Sequence, residues 1–441
     1  MNTSVTNAGT APYAVLSHGR SHSGFSPLVL QQARVRERRP DKSVQDHTMY
    51  FVCVEHDFEE PLELRIRRDT APWRTVSVRP RMEGVTVHEE PDEIQMTLTE
   101  PAGLSVEFDG DMYHNLFVFA EQPDSEKPDP SDPNILYFGP GEHHPGMLEL
   151  TSGQTLYLDT GAVVYGRIHA AGAENITIAG HGILDGAEEN HDTLRPYHIH
   201  LEQCRGVRLE NILIRDSPAW SVVTMYCKDV SVHGIKQISY NWNSDGFDIC
   251  SCEDVTIDHV FVRNFDDNIS LKSFGGDCRR ITFRNAVVWC DCAHNMLVGP
   301  EADRVGGTVF EDILFENVAV LESREYCDIY MGVMAIMCAD KAVIRNIGWR
   351  DIRVERLSVG KAISVQFVTE YAEELGRSIE NISFEKIWID QKIPVMTFHG
   401  ADETRLVKHI QLQDVRYVNG MIHRRDELDI NEYVDDLRII G

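Results

Sequence analysis

Hydrophobic and polar residues alternate in short runs over much of this chain. The first runs are Met49–Val54, Leu62–Ile66, Val76–Val78, Glu93–Leu98, Leu104–Phe108 and Leu116–Phe119. Period-two alternation broken by Pro, Gly and Asp predicts antiparallel strands, and six of them in so short a span predict a small β-sandwich over residues 49–122. Residues 1–48, with scattered Ser, Gly and Arg, suggest a flexible or wrapping arm. Residues 123–134 hold four prolines and no apolar side chain, the composition of a linker.

From residue 135 to 441 the alternation becomes a repeat. Nine similar segments begin at Asn175, Gly206, Asp229, Asp254, Arg280, Asp312, Asn346, Asn381 and His409. Each places apolar residues one and three positions later, as in Val255 and Ile257, and most carry a second apolar pair further on. The spacings are 31, 23, 25, 26, 32, 34, 35 and 28 residues. Self-similarity at this period marks a solenoid, and strand-type repeats without a helical period predict a parallel β-helix of roughly ten coils. The leucine-rich-repeat signature is absent.

The repeat gives Asn243-Ser244-Asp245-Gly246-Phe247-Asp248 and Asp266-Asp267 their interest. Asp245 precedes the pair by 21 and 22 residues, about one coil, so the carboxyls stack at roughly the 4.8 Å strand spacing. Counted from the first apolar residue of each repeat, Trp220, Asp245, Asp266, Asp267, His294, Arg324 and Tyr326 all fall between offsets 11 and 15. They should line one cleft suited to a linear glycan, where paired acids perform acid–base chemistry on a glycosidic bond. Turns between strands are polar in any case, but His, Arg and aromatic residues in the same window argue for a site. Cys227 and Cys250 share an offset, which predicts a stacked internal thiol pair.

Charge and cysteine usage narrow the function. The net charge of −28, from 70 acids against 42 bases, excludes a nucleic-acid partner and leaves a carbohydrate as the expected one. No apolar run reaches 18 residues, so no membrane span is expected, and no signal peptide is seen. Ten cysteines without an export signal suggest reduced thiols in a cytoplasmic protein, or an exported one whose signal lies outside this sequence. No metal or cofactor pattern is present, so none is expected. A monomer or small homo-oligomer fits.

The motifs Asn243–Asp248 and Asp266-Asp267-Asn268-Ile269-Ser270, with Phe138–Gly141 and Gly180–Gly186, resemble the polygalacturonase family and its relatives, the dextranase and isopullulanase family. The resemblance implies an all-β protein: a right-handed parallel β-helix, preceded in the dextranase branch by a β-sandwich. It also implies an inverting glycoside hydrolase in which Asp266 protonates the leaving oxygen while Asp245 and Asp267 activate water. Polygalacturonases carry Gly-His-Gly and then Arg-x-Lys. Here Ala293-His294-Asn295 and Ser323-Arg324-Glu325-Tyr326 stand instead. A neutral, dextran-like glycan is therefore the expected substrate, with galacturonan hydrolysis the alternative. A calcium-dependent polysaccharide lyase and a non-catalytic binding β-helix are the rival classes. The expected substrate-binding residues are Trp220, Trp242, Asn243, Asp248, Lys272, His294, Asn295, Arg324 and Tyr326.

Overall fold

The computed structural model describes residues 12–18, 25–125, 127–191, 196–326 and 332–441. The chain divides into two compact units. One runs to Arg34 and resumes over His47–Ser125; the other comprises Val35–Asp46 and Glu126–Gly441.

Two five-stranded sheets form most of the first unit; Val35–Arg38 and Val44–Asp46, the ends of two of their strands, count with the second. One has the order Phe25–Pro27, Tyr13–His18, Leu62–Arg68, Ile94–Leu98, Val85–Glu89. The other has the order Gln31–Arg38, Val44–Glu55, Leu116–Glu121, Ala102–Phe108, Val76–Arg79. Alternation decides which side chains enter the core: along Leu62–Ile66 the leucines and the isoleucine are buried while Glu63 is exposed. The expected arm over residues 1–48 differs from what is found. Tyr13–His18 pairs antiparallel with Leu62–Arg68, burying Tyr13 and Val15, and Ala33 and Val35 are buried from Gln31–Arg38. The apolar periodicity was there, but Ser and Gly around it masked two short strands. Residues 1–11 and 19–24 of that segment, and Glu126 of the expected linker, lie outside the described residues.

The second unit is a right-handed parallel β-helix whose strands form one continuous sheet of 28 members. Its coils stack in the register of the repeats. Ile176, Val207, Val230, Val255, Ile281, Ile313, Ile347, Ile382 and Ile410 pair in succession, and Leu437 adds a tenth member. Two earlier coils, through Leu136 and Leu156, precede this ladder. The residue before each ladder member has positive φ, from Asn175 at 55° to Asp436 at 52°. Asn, Asp and Gly hold most of these places because they tolerate the left-handed conformation that turns the chain into the next coil. Two positions beyond the leading apolar residue, Phe283, Phe315, Trp349 and Phe384 stack inside the helix. The last three rings are 5.3 and 4.9 Å apart and nearly parallel.

The thiol pairing differs from expectation. Cys227 stacks between Cys204 and Cys252, not against Cys250: the Cys204 amide donates to Cys227 Sγ at 3.4 Å and the Cys227 amide to Cys252 Sγ at 3.3 Å. The coil that holds Asp245 is two residues longer than the one before it, so equal offsets do not mean equal register. Nine cysteines are free among the described residues.

Candidate active site

One row of short strands carries the site. Ile199, Val222, Phe247 and Ile269 pair in succession, and Ser270 pairs with Leu297. Two residues before the first residue of each strand stand Tyr197, Trp220, Asp245, Asp267 and His294, one per coil. The spread of sequence offsets arose from unequal turn lengths; in space the residues form a single column. Gly246 is required there, because a Cβ would lie 2.4 Å from the Asn268 carbonyl oxygen.

Carboxyl oxygens of Asp245, Asp266 and Asp267 lie within 4.8 Å of one another. Asp266 is the half-buried member, while Asp245 is 3% exposed. The Asp266 carboxylate accepts from the amides of Asn243 (3.1 Å) and Asp267 (3.0 Å). Asp267 Oδ1 accepts from the His294 amide at 2.9 Å, and its 2.8 Å contact with His294 Nδ1 assigns that ring proton. Glu325 stands 3.8 Å from the same nitrogen. Lys272 Nζ is buried among Asp245 (3.1 Å), Asp248 (2.8 Å) and Glu301 (3.3 Å), and lies 3.5 Å from the centre of the Trp220 ring, which stacks on Tyr197.

These carboxyls share one lysine and one histidine, and the proton affinities of the four aspartates among them separate. Burial, then the charge of Asp267, pushes Asp266 up to about 6. Burial pushes Asp248 to about 7 and raises Asp245 well above the usual carboxylate range despite Lys272. Asp267 goes the other way: burial would raise it, but the charge and hydrogen bonds of His294 outweigh that and hold it low. One acid keeps a proton beside another that stays ionised, the arrangement acid–base catalysis needs. The three oxygens are also close enough to hold a cation. Lys272 supplies positive charge beside them.

The remaining expected residues divide. Trp242 is 42% exposed and packs edge-on against Phe265 at 4.8 Å. Asn243 contributes its amide to Asp266. Asp248 and Asn295, expected to face substrate, are instead 0% exposed. Asp248 lies beneath Lys272, and Asn295 accepts from Asn268 Nδ2 at 2.9 Å. They brace the turns. Lys272 is likewise buried. Arg324 Nη2 donates to the Tyr326 hydroxyl at 3.1 Å.

Sequence reasoning missed Arg38. Its Nη1 donates to Cys292 Sγ at 2.9 Å, its guanidinium lies 5.0 Å from the Tyr326 ring and 6.0 Å from Trp242, and the Tyr326 hydroxyl donates to its carbonyl at 2.9 Å. Arg36 stacks on Tyr240 at 4.9 Å and on Phe265 at 5.7 Å. No spacing rule could reach across the 254 residues between Arg38 and Cys292. The one signal was arginine at every second position over 34–38, which places three guanidiniums on one side of a strand.

The family model of Glycosyl hydrolases family 28 matches residues 157–403, more than half of the sequence and the whole of this column of residues. The chain belongs to glycosyl hydrolase family 28. Among curated relatives, Exopolygalacturonase X-1 of Emericella nidulans is 23% identical over 209 residues, 42% of this chain and 47% of that protein. The chain spans less than half the length of the first curated relatives it matches. Two solved structures share the fold. The hyperthermoactive exopolygalacturonase from Thermotoga maritima has a TM-score of 0.53 at 16% identity, covering 70% of this chain and 84% of that one. The family 28 exopolygalacturonase of Yersinia enterocolitica has a TM-score of 0.51 at 13% identity, covering 87% and 95%.

Proposed function

We propose that this family 28 protein hydrolyses glycosidic bonds in a uronate-bearing glycan of the galacturonan type, with inversion at the anomeric carbon. The observation that carries the chemistry is the geometry of two neighbouring acids: Asp267 is held by the amide and the ring of His294, while Asp266, half-buried, accepts from two backbone amides, and burial raises its proton affinity. Asp266, protonated and half-buried, gives its proton to the leaving oxygen. Asp267, kept ionised by His294, takes a proton from the attacking water with Asp245 beside it. Lys272, itself paired with Asp248 and Glu301, holds Asp245 in place.

The substrate class departs from the neutral glycan expected from the missing Arg-x-Lys. Two lines favour uronate. The relative found by sequence is named a polygalacturonase. Arg38 and Arg324 both meet Tyr326, so two guanidiniums stand beside the column where the missing motif would have put its cations.

Incubation with oligogalacturonides and with neutral α-glucan oligosaccharides tests this. Release of reducing ends from the galacturonides alone is the expected result; cleavage of the neutral set alone would restore the dextranase-like reading. Ultraviolet-absorbing products suppressed by chelator would mean a lyase. A second reading, retention through a covalent adduct, is favoured by one observation. Acid oxygens within 4.8 Å are closer than the roughly 6.5–9.5 Å of most inverting pairs. Proton NMR of the first product formed decides, since inversion and retention give opposite anomers.

A further inference from the structure

The outer face of the β-helix carries a ladder of polar side chains in which one rung differs. Glu210, His233, Asp258, Arg284, Glu316 and Arg350 pair in succession, one per coil. Acids and bases alternate along it, and facing opposite charges attract. Arg284 binds Asp258 at 2.8 Å and Arg350 binds Glu316 at 3.0 Å. Between Glu210 and Asp258 the place of the arginine is taken by His233. An imidazole, unlike a guanidinium, can give up its proton and ligate a metal ion.

A second imidazole stands beside it. His259 follows Asp258 at a backbone position of positive φ, 53°. The next two coils place Asn285 and Asn317 there, and Asn317 Nδ2 donates to Asn285 Oδ1 at 2.7 Å. His259 departs from that amide ladder and sets its ring near His233, with the ring centres 5.1 Å apart. Both rings are exposed. One nitrogen of each and a carboxylate oxygen of Asp258 lie within 4.8 Å of one another, and His259 Nδ1 is 2.7 Å from Asp258 Oδ1. Zinc–ligand bonds of roughly 2.0–2.2 Å put two ligands at most about 4.4 Å apart, so a small rotation of the exposed rings closes the set. Asp258 is already oriented. Arg284 Nε and Nη2 donate to its Oδ2 at 3.0 and 2.8 Å, and Asn285 Nδ2 donates to its Oδ1 at 2.7 Å. Outer hydrogen bonds of this kind fix a ligating carboxylate.

We propose that His233, Asp258 and His259 bind a divalent transition-metal ion of the zinc class, with water completing the coordination. Two imidazoles and one carboxylate suit zinc, nickel or copper, whereas calcium and magnesium prefer oxygen ligands. The ion supplies at this rung the positive charge that arginine supplies further along. It also ties two coils together. His233 lies on the coil that leads to Asp245, and Asp258 and His259 lie on the coil that leads to Asp266-Asp267. His233 precedes the other two ligands by 25 and 26 residues, so no local spacing motif announces them.

Calorimetric titration of zinc into the full chain, first freed of metal by a chelator, tests the site. The native protein should take up one equivalent that excess magnesium does not displace. His233→Ala and His259→Ala should each weaken that equivalent at least about a hundredfold, and Asn285→Ala, which removes one hydrogen bond to Asp258, about tenfold. Zinc should raise the midpoint of thermal unfolding of the native protein and leave the two histidine variants unmoved. Circular dichroism confirms that the variants are folded. Copper in place of zinc should give an electron paramagnetic resonance spectrum split by two nitrogens. No zinc uptake by the native protein, or uptake of unchanged affinity in either histidine variant, would overturn the site. Uptake kept in the histidine variants and lost in Asp266→Asn would overturn it too, and would place the ion at the cleft acids.

Discussion

Two columns of side chains run from coil to coil in the β-helix, built on the same register and opposite in character. Inside, Phe283, Phe315, Trp349 and Phe384 stack one above another, and each coil adds buried apolar surface to the same core. At the cleft the column starts alike, with Tyr197 and Trp220 stacked 5.1 Å apart. It then turns to Asp245, Asp267 and His294. The interior column is interchangeable: any large apolar residue continues it, and burial is its only task. The cleft column holds buried carboxyls that burial itself disfavours, and they persist because Lys272 and His294 offset their charge. The repeat therefore stabilises the molecule, and the column proposed to carry the chemistry keeps its register while giving up its apolar residues.

That contrast can be broken most strongly at Lys272. Lys272→Met leaves Asp245 and Asp248 without their shared cation, which should cost about 3–5 kcal/mol in urea unfolding at pH 7.5. The loss should shrink at pH 4.5, where those carboxyls take up protons instead. An equal loss at both pH values would mean that Lys272 serves packing alone, like an interior residue.

A smaller effect sharpens the comparison at Asp266. Its folded pKa of about 6 stands above the ordinary 3.8, so the folded state holds a proton that the unfolded chain has released between those values. The stability this group contributes is full below about pH 4 and is lost as pH rises through 6. Asp266→Asn removes that slope, so the variant should gain on the native protein as pH rises from 4 to 7, by on the order of 1.4 kcal/mol per unit of pKa shift. In the native protein kcat/KM should fall above about pH 6 as Asp266 ionises. It should hold on the acid side down to below the ordinary carboxylate range, because Asp267 stays ionised. Urea melts and rate profiles across that range check both limbs.

The least effect belongs to the interior. Trp349 Nε1 is buried without a hydrogen-bond partner among the described residues. Trp349→Phe removes that donor and keeps a ring in the stack, so the free energy of unfolding in urea should change by less than about 1 kcal/mol. A loss of several kcal/mol would show the stack to be shape-specific rather than interchangeable.

The interior was legible from sequence because one rule generates it. A residue able to turn left-handed, then apolar residues one and three places later, recurs with every coil, and Ile176 through Ile410 pair as the nine segments predict. The acids were legible for the same reason: their spacing equals one coil. What was lost came from contacts outside that rule. Turn lengths vary, so equal offsets paired Cys227 with Cys250 when the register pairs it with Cys252. Asp248 and Asn295 belong to the motifs, yet whether such a residue points into the cleft or beneath it depends on neighbouring coils. Arg38 arrives on a hairpin far earlier in the chain, and no periodicity reports it.

The claim that Asp266 is the proton donor is tested most directly by the turnover of Asp266→Asn on an oligogalacturonide compared with an aryl galacturonoside. The substitution keeps the shape of the side chain and removes the proton. Turnover of the oligosaccharide should fall at least about a hundredfold, while the aryl substrate, whose leaving group needs little protonation, should lose far less. Near-native turnover of the oligosaccharide by a folded Asp266→Asn protein would contradict the assignment of Asp266 and the acid–base scheme built on it.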